Sequence, residues 1–151
     1  MIASTNIAQL REKYRSDNYI AFSVDTDWAS EDCISEMLDF FQQNKIPINV
    51  FCTHPSAVLA ARREDPMVEL GIHPNFCPNS SHGQTIDEVT AYCMNLVPGA
   101  RCIRTHRWFS SNDIYDKLVT CGIRYDSSEC SMMDPVEPYI HRSGILRLPV
   151  Y

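Results

Sequence analysis

At Phe22-Ser-Val-Asp-Thr-Asp-Trp28 an apolar run of the sequence ends abruptly in two acids that are one residue apart. The run over residues 20–24 is short and bounded by polar residues, which is typical of a buried strand. Strand residues alternate between the two faces of a sheet, so we expect Asp25 and Asp27 on one face and Thr26 on the other. Two carboxylates at the end of a buried strand cost free energy unless a metal ion, a nucleophilic step or a general-base step uses them. The simpler alternative is a pair that caps the following helix, but a helix cap requires one acid and not two.

The overall composition favours a single globular domain over residues 1–151. The 151 residues are 44% hydrophobic and 21% charged, which is enough apolar material for a core. The formal net charge of −6 argues against a nucleic-acid partner. Seven cysteines, an odd number, occur without any Cys-x-x-Cys pair, which favours free thiols and a cytoplasmic location. No signal peptide or transmembrane run is visible, so we expect no membrane span.

Strand and helix patterns alternate along the chain. After a helix predicted over residues 4–14, six apolar runs are typical of strands: residues 20–25, 48–52, 67–72, 101–104, 123–125 and 145–150. Amphipathic helix patterns lie between most of them; one begins at the capping box Thr85-Ile-Asp-Glu88, and Asn112 is expected to cap another. This alternation predicts an α/β fold with a mainly parallel sheet.

Polar residues follow the carboxyl ends of these strands. They are Asp25 and Asp27, His54, His73, His106 and Asp126. In barrels and open α/β sheets this edge is where functional sites are built. A lone histidine there would be typical of a structural residue, but three histidines at strand ends, together with an acid pair, indicate a shared metal site.

The same residues carry a resemblance to a known family, the NodB-homology polysaccharide deacetylases of carbohydrate esterase family 4. Phe22-Ser-Val-Asp-Thr-Asp27 stands where that family has Thr-Phe-Asp-Asp-Gly, and Glu69-Leu-Gly-Ile-His-Pro-Asn75 is similar to its second motif. Ile103-Arg-Thr-His-Arg-Trp-Phe109 stands where the family has Arg-Pro-Pro-aromatic. Gly122-Ile-Arg-Tyr-Asp-Ser127 resembles the fourth motif, Gly-Tyr-x-x-Asp-Ser. The resemblance covers residues 19–151 and is closest to a divergent branch associated with surface polysaccharide synthesis.

The resemblance implies a role for each matching residue. The family's first Asp is the general base and its second binds the metal, which assigns these roles to Asp25 and Asp27. His73 stands at the first histidine of the second motif. The second histidine of that motif is absent, and His106 is expected to replace it as a metal ligand. Arg104 matches the arginine that orients the catalytic Asp.

The implied reaction is the removal of an N-acetyl group from a sugar, with one divalent metal ion, zinc above all, as cofactor. Such an ion lowers the pKa of a bound water towards about 7 and polarises the amide carbonyl. The substrate is expected to be an N-acetylated precursor of a surface polysaccharide. His54, Asn75 and Trp108 are expected to contact it, the last by stacking on a sugar ring, with His54 as a replacement metal ligand the alternative.

The family fold is an irregular (β/α)7 barrel. Six strands are predicted here, so we expect a barrel that is incomplete at the C-terminus. The family's last motif, Leu-x-His, supplies the general acid and is expected beyond Tyr151.

Two interpretations from other classes stay open at this point. A haloacid-dehalogenase-type phosphatase also begins with an apolar strand ending in Asp-x-Asp, with Asp25 as nucleophile and Asp27 as acid and base. That fold needs a later lysine and a late acidic pair, but Lys45 and Lys117 are badly placed and no Asp-Asp follows Asp126. The non-enzymatic alternative is a degenerate deacetylase-like domain that binds metal or sugar without turnover.

Overall fold

The computed structural model describes residues 20–132 and 136–150, together with Gln9 and Glu12. The helix predicted over residues 4–14 lies outside the described residues except at Gln9 and Glu12, which are both helical.

A mostly parallel sheet with alternating helices forms the fold, as the sequence predicted. The strands are β1 (Phe22–Asp25), β2 (Ile48–Cys52), β3 (Val68–Ile72), β4 (Cys102–Ile103), β5 (Tyr125–Asp126), β6 (Tyr139–Ile140) and β7 (Leu146–Arg147). The helices are α1 (Glu31–Gln43), α2 (Ala57–Ala61), α3 (Ile86–Leu96) and α4 (Asn112–Thr120), with a 3₁₀ turn at His106–Trp108.

The strand order is β1-β2-β3-β4-β5-β7-β6, and every neighbouring pair is parallel except β6 with β7. Within the described residues, β1 and β6 form the two edges and do not pair with each other, so this part of the sheet is open. A closed barrel stays a prediction.

Two local predictions were wrong. Six strands were expected, but the short strand β6 also forms and pairs antiparallel with β7. A strand of two residues is too short to show an alternating pattern. Helix α4 is capped by Ser111, whose side chain accepts the Ile114 N–H at 3.3 Å, and Asn112 is its first residue. Serine and asparagine are both favoured caps, so the sequence alone did not separate them.

Side-chain caps fix where the long helices begin. Ser30 accepts the Cys33 N–H at the start of α1. Thr85 and Glu88 form the predicted capping box at the start of α3. Among the residues that the structure describes, every helix is too short or too polar to cross a bilayer.

The core packs α1, α3 and α4 against the central strands. Its fully buried side chains include Ile34, Leu38, Val50, Ile72, Cys93, Ile103, Ile114 and Leu118. All seven cysteines are free. Burial raises the pKa of the Cys52 and Cys93 thiols to about 12, so these side chains act as small hydrophobic groups and not as nucleophiles.

Gly71 lies in β3 at a point where the neighbouring strands leave no room for a side chain. A Cβ atom there would lie 2.7 Å from Cys102 Sγ, 2.8 Å from Phe51 Cδ1 and 2.9 Å from the Cys102 carbonyl. We therefore expect Gly71→Ala to destabilise the fold by about 1–3 kcal/mol, the usual cost of overpacking a core. Chemical denaturation followed by circular dichroism measures this change, with the exposed Glu69→Ala of the same strand as control. Equal stability of Gly71→Ala and wild type would contradict the packing described.

Candidate metal centre and active site

The carboxyl ends of β1, β3 and β4 bring the predicted site residues to one rim of the sheet. Ile72 lies beside Ile103 in the strand register, so the residues that follow, His73 and Arg104, are neighbours on the other face. Asp25 at the end of β1 approaches both of them. Its Oδ1 lies 3.0 Å from Arg104 Nη1 and 3.6 Å from His73 Nδ1.

Three of these side chains form a cluster with metal-ligand geometry. One ligand atom each from Asp27, His73 and His106 lies within 4.8 Å of the other two. Asp27 Oδ1 is 3.4 Å from His73 Nε2 and 3.1 Å from His106 Nδ1. The two imidazole rings stand almost perpendicular, with centroids 5.5 Å apart. Two imidazole nitrogens and one carboxylate oxygen are a donor set that catalytic zinc sites use, with positions left open for water and substrate.

The protonation state of His73 also suits a metal ligand. Burial lowers the pKa of His73, against the Asp25 and Asp27 carboxylates, which raise it. A neutral imidazole is the form that binds metals. His73 is nearly fully buried, whereas 54% of the Asp27 side chain is exposed, so the cluster opens towards solvent on the Asp27 side.

Arg104 is held rigidly beside Asp25. Its guanidinium donates to Ser23 Oγ at 2.6 Å and to Ser127 Oγ at 2.7 Å and 3.0 Å. It also lies over the ring of Phe51, 4.6 Å from its centroid. Since the other guanidinium nitrogens are engaged by the serines, a single nitrogen reaches Asp25. A charge-assisted bond of this kind orients a carboxylate.

Both acids approach the same imidazole, as expected for residues on one face of the sheet. Thr26, between them, is buried on the other side, with its Oγ1 2.9 Å from Thr53 Oγ1. Asp27 no longer lies in the strand, because its φ is +38°.

Two tight turns lie at Asp27 and His106, the more exposed members of the cluster. Asp27 and Trp28 have φ of +38° and +62°, and Arg107 and Trp108 have φ of +57° and +59°. Left-handed backbone at residues other than glycine costs about 1–3 kcal/mol each and concentrates at functional sites. One turn contains the ligand-type residue Asp27, and the other directly follows His106.

The remaining predicted contacts lie outside the three-residue cluster. His54 Nδ1 is 2.9 Å from Thr53 Oγ1. Asn75 Oδ1 accepts the Cys77 N–H at 3.0 Å within the loop after β3. Trp108 is 40% exposed, and Arg104 Cζ lies 5.8 Å from its ring centroid. Their contact with a substrate stays a prediction.

Asp126, which also follows the strand-end pattern, belongs to a separate network. Its carboxylate accepts the Tyr115 hydroxyl at 3.1 Å and the Ser128 N–H at 2.9 Å. Arg147 Nε lies 3.0 Å from it. This fully buried carboxylate ties α4 to β5 and β7 and does not reach the cluster.

Sequence analysis missed His82, Ser23 and Ser127. His82 is 4% exposed and packs beside Trp28, with ring centroids 5.8 Å apart. It lies in a polar loop at no spacing typical of metal ligands, and only its position after a site-forming strand could have signalled it. The two serines have no sequence signal, because their role depends on the path of the Arg104 side chain.

A cavity of about 280 Å³ lies away from the cluster. Pro47, Ile48, Pro66 and Val68 are among its lining residues, which places it at the amino-terminal ends of β2 and β3. It therefore plays no part in the candidate site.

Comparison with known proteins agrees with this geometry. A family model described as WbmS-like polysaccharide deacetylase matches residues 22–151. A crystal structure from Bordetella bronchiseptica, of a protein assigned as a polysaccharide deacetylase involved in O-antigen biosynthesis, aligns with a TM-score of 0.78 and 25% sequence identity. The alignment covers 85% of this chain and 55% of that one, so the chain spans about half the length of this relative. No curated protein matches the chain significantly.

Proposed function

Because the chain belongs to the WbmS-like polysaccharide deacetylase family, we propose that it forms the catalytic part of a metal-dependent hydrolase that removes N-acetyl groups from a sugar. The observation that carries the metal dependence is the cluster of Asp27, His73 and His106 at the strand ends. The phosphatase interpretation loses its support, because the family match includes both Asp25 and Asp27.

Each residue of the site has a separate role in the proposed reaction. Asp27, His73 and His106 would hold one divalent ion, with zinc proposed because these donors are typical of catalytic zinc sites. When bound, such an ion polarises an amide carbonyl and makes a nearby water more acidic. Asp25 is the proposed general base and takes the proton of the attacking water. Arg104 orients Asp25 through the bond described above.

Exposed aromatic side chains at the rim support a carbohydrate substrate. Trp28 and Trp108 are 43% and 40% exposed and belong to the two turns beside the cluster. Their faces can stack on a sugar ring, as large amphipathic rings do at many binding surfaces. We propose Trp108, His54 and Asn75 as substrate contacts.

The substrate is proposed to be an N-acetylated precursor of a surface polysaccharide. The O-antigen role of the Bordetella bronchiseptica relative supports this class. Seven free thiols support a reducing, cytoplasmic site of action, where such precursors are built.

We expect the natural full-length protein to release acetate from N-acetylated sugars and to lose this activity when EDTA removes the metal. Adding Zn²⁺ back should restore it, because the three ligands need one divalent ion to form the site. An enzymatic acetate assay measures the rate, with EDTA already saturated by Zn²⁺ as a control for the chelator itself. Acetate release that persists in EDTA would contradict the metal dependence. A zinc-loaded protein that releases no acetate would instead favour the non-catalytic alternative.

A further inference from the structure

His82 is a buried polar residue that the proposed chemistry does not use. It lies in the loop between β3 and α3, and its backbone N–H donates to Ser80 Oγ at 3.0 Å. Its ring stacks on Tyr92 of α3, with centroids 4.7 Å apart and planes 22° apart. Burying an imidazole costs free energy unless its contacts compensate, so these contacts indicate what His82 does.

One nitrogen of His82 has a defined partner. The backbone N–H of Asn75 donates to His82 Nδ1 at 3.1 Å. A backbone amide can only donate, so Nδ1 carries no proton and the neutral ring bears its proton on Nε2. Cys93 Sγ lies 3.5 Å from the same nitrogen. Burial lowers the pKa of His82, which keeps the ring in this neutral form.

The hydrogen bond from Asn75 to His82 anchors the segment that contains His73 and that also holds His106 in place. Asn75 lies two residues after His73, whose own N–H donates to the Cys52 carbonyl at 2.9 Å. Between them, the Pro74 carbonyl accepts the His106 N–H at 2.9 Å. His82 therefore holds the far end of a short segment that positions both histidines of the cluster.

The ring of His82 also supports the third ligand from the other side. Trp28, the residue after Asp27, packs between two histidines: its ring centroid lies 5.8 Å from His82 and 5.4 Å from His106. The backbone N–H of Trp28 donates to Thr53 Oγ1 at 3.1 Å, which fixes the turn that contains Asp27. His82 thus contacts Asn75, two residues after His73, and Trp28, which follows Asp27 and packs against His106, and it is not itself a member of the cluster.

We propose that His82 is a positioning residue that sets the spacing of Asp27, His73 and His106 for metal binding. The inference rests on the proposed metal site. Residues that orient metal ligands without touching the ion typically contribute about 10- to 100-fold to metal affinity.

Zinc titration calorimetry with ZnCl₂ alone tests this inference in the purified wild type and two His82 variants. His82→Phe retains a ring to stack on Tyr92 but cannot accept the Asn75 N–H. We expect it to bind zinc about 10- to 100-fold more weakly than wild type. His82→Asn places an oxygen acceptor near the position of Nδ1 and is expected to recover most of the affinity.

His141→Phe is the matched control. His141 also packs against a tyrosine, Tyr115, with centroids 4.5 Å apart and planes tilted by 46°, and its Nδ1 also accepts a backbone N–H, from Ser143. It makes the same kinds of contact away from the cluster, so this variant should bind zinc as wild type does.

Unchanged zinc affinity in His82→Phe would overturn the inference. Should that variant fail to fold, nitrogen NMR of the wild type decides instead: His82 must be the neutral Nε2–H tautomer, and a protonated Nδ1 would overturn the inference. Acetate release is measured separately. Zinc binding without acetate release would refute the proposed activity and leave the His82 result intact, whereas a wild type that binds no zinc would refute both.

Discussion

Replacing His73 by alanine is expected to abolish binding of a divalent ion. His73 supplies the buried nitrogen of the cluster, and its Nε2 lies 3.4 Å from Asp27 Oδ1. Without it, Asp27 and His106 remain as two partly exposed donors, too few for a stable catalytic site. The loss should exceed the roughly 10- to 100-fold effect that is typical of residues around a metal site.

Metal analysis of the purified protein, together with zinc titration, measures this effect. Circular dichroism shows whether His73→Ala is folded, and His141→Ala serves as the control histidine outside the cluster. Equal zinc content in His73→Ala and wild type would refute the assignment of His73 as a ligand.

Asp25→Asn is expected to retain the metal and to lose most of the deacetylase rate. Asp25 is assigned as base and not as ligand, and an asparagine oxygen can still accept from Arg104 Nη1. It cannot take a proton from water, and removal of a general base typically costs about 10²- to 10⁴-fold in rate. Acetate release and bound zinc should be measured in the same preparation.

The exposed Asp113→Asn makes the same chemical change in α4, away from the site, and should leave both quantities unchanged. Zinc loss in Asp25→Asn would mean that the roles of the two acids are exchanged. Full activity in that variant would mean that Asp25 is not the base.

Much of the sheet edge was predictable, because apolar strands that end in polar residues must place those residues at one rim. Asp25, Asp27, His73 and His106 were found in this way, and the structure brings them together. The resemblance to polysaccharide deacetylases is also confirmed by the family match over residues 22–151.

The strand register, which the sequence pattern does not show, determines which residues become neighbours at the rim of the sheet. His54 follows β2 much as His73 follows β3, but the register pairs Cys52 with Ile72. The residue beside His73 is therefore Thr53, and His54 falls one position later, in a bend, with its Nδ1 2.9 Å from Thr53 Oγ1. A difference of one residue in register decides which residue lies beside His73, and the sequence does not show it.

At β5, too, the register determines neighbours that the sequence pattern does not show. Register pairs Ile103 with Asp126, so Ser127 is the neighbour of Arg104. The serine, with no sequence signal, contacts the arginine, while the acid turns towards Tyr115 of α4. His82 could not be predicted either, because its place depends on how a polar loop folds back over the rim.

The close packing around Gly71 limits the directions from which molecules can approach the proposed reaction centre. Gly71 lies two residues before His73 on the same face of the sheet. There Phe51 and Cys102 leave no space even for a methyl group on Gly71. The proposed reaction centre is therefore closed at this point, whereas the carboxylate of Asp27 is open to solvent. We therefore expect the sugar and the attacking water of the proposed reaction to approach on the side of Asp27, whose carboxylate is exposed.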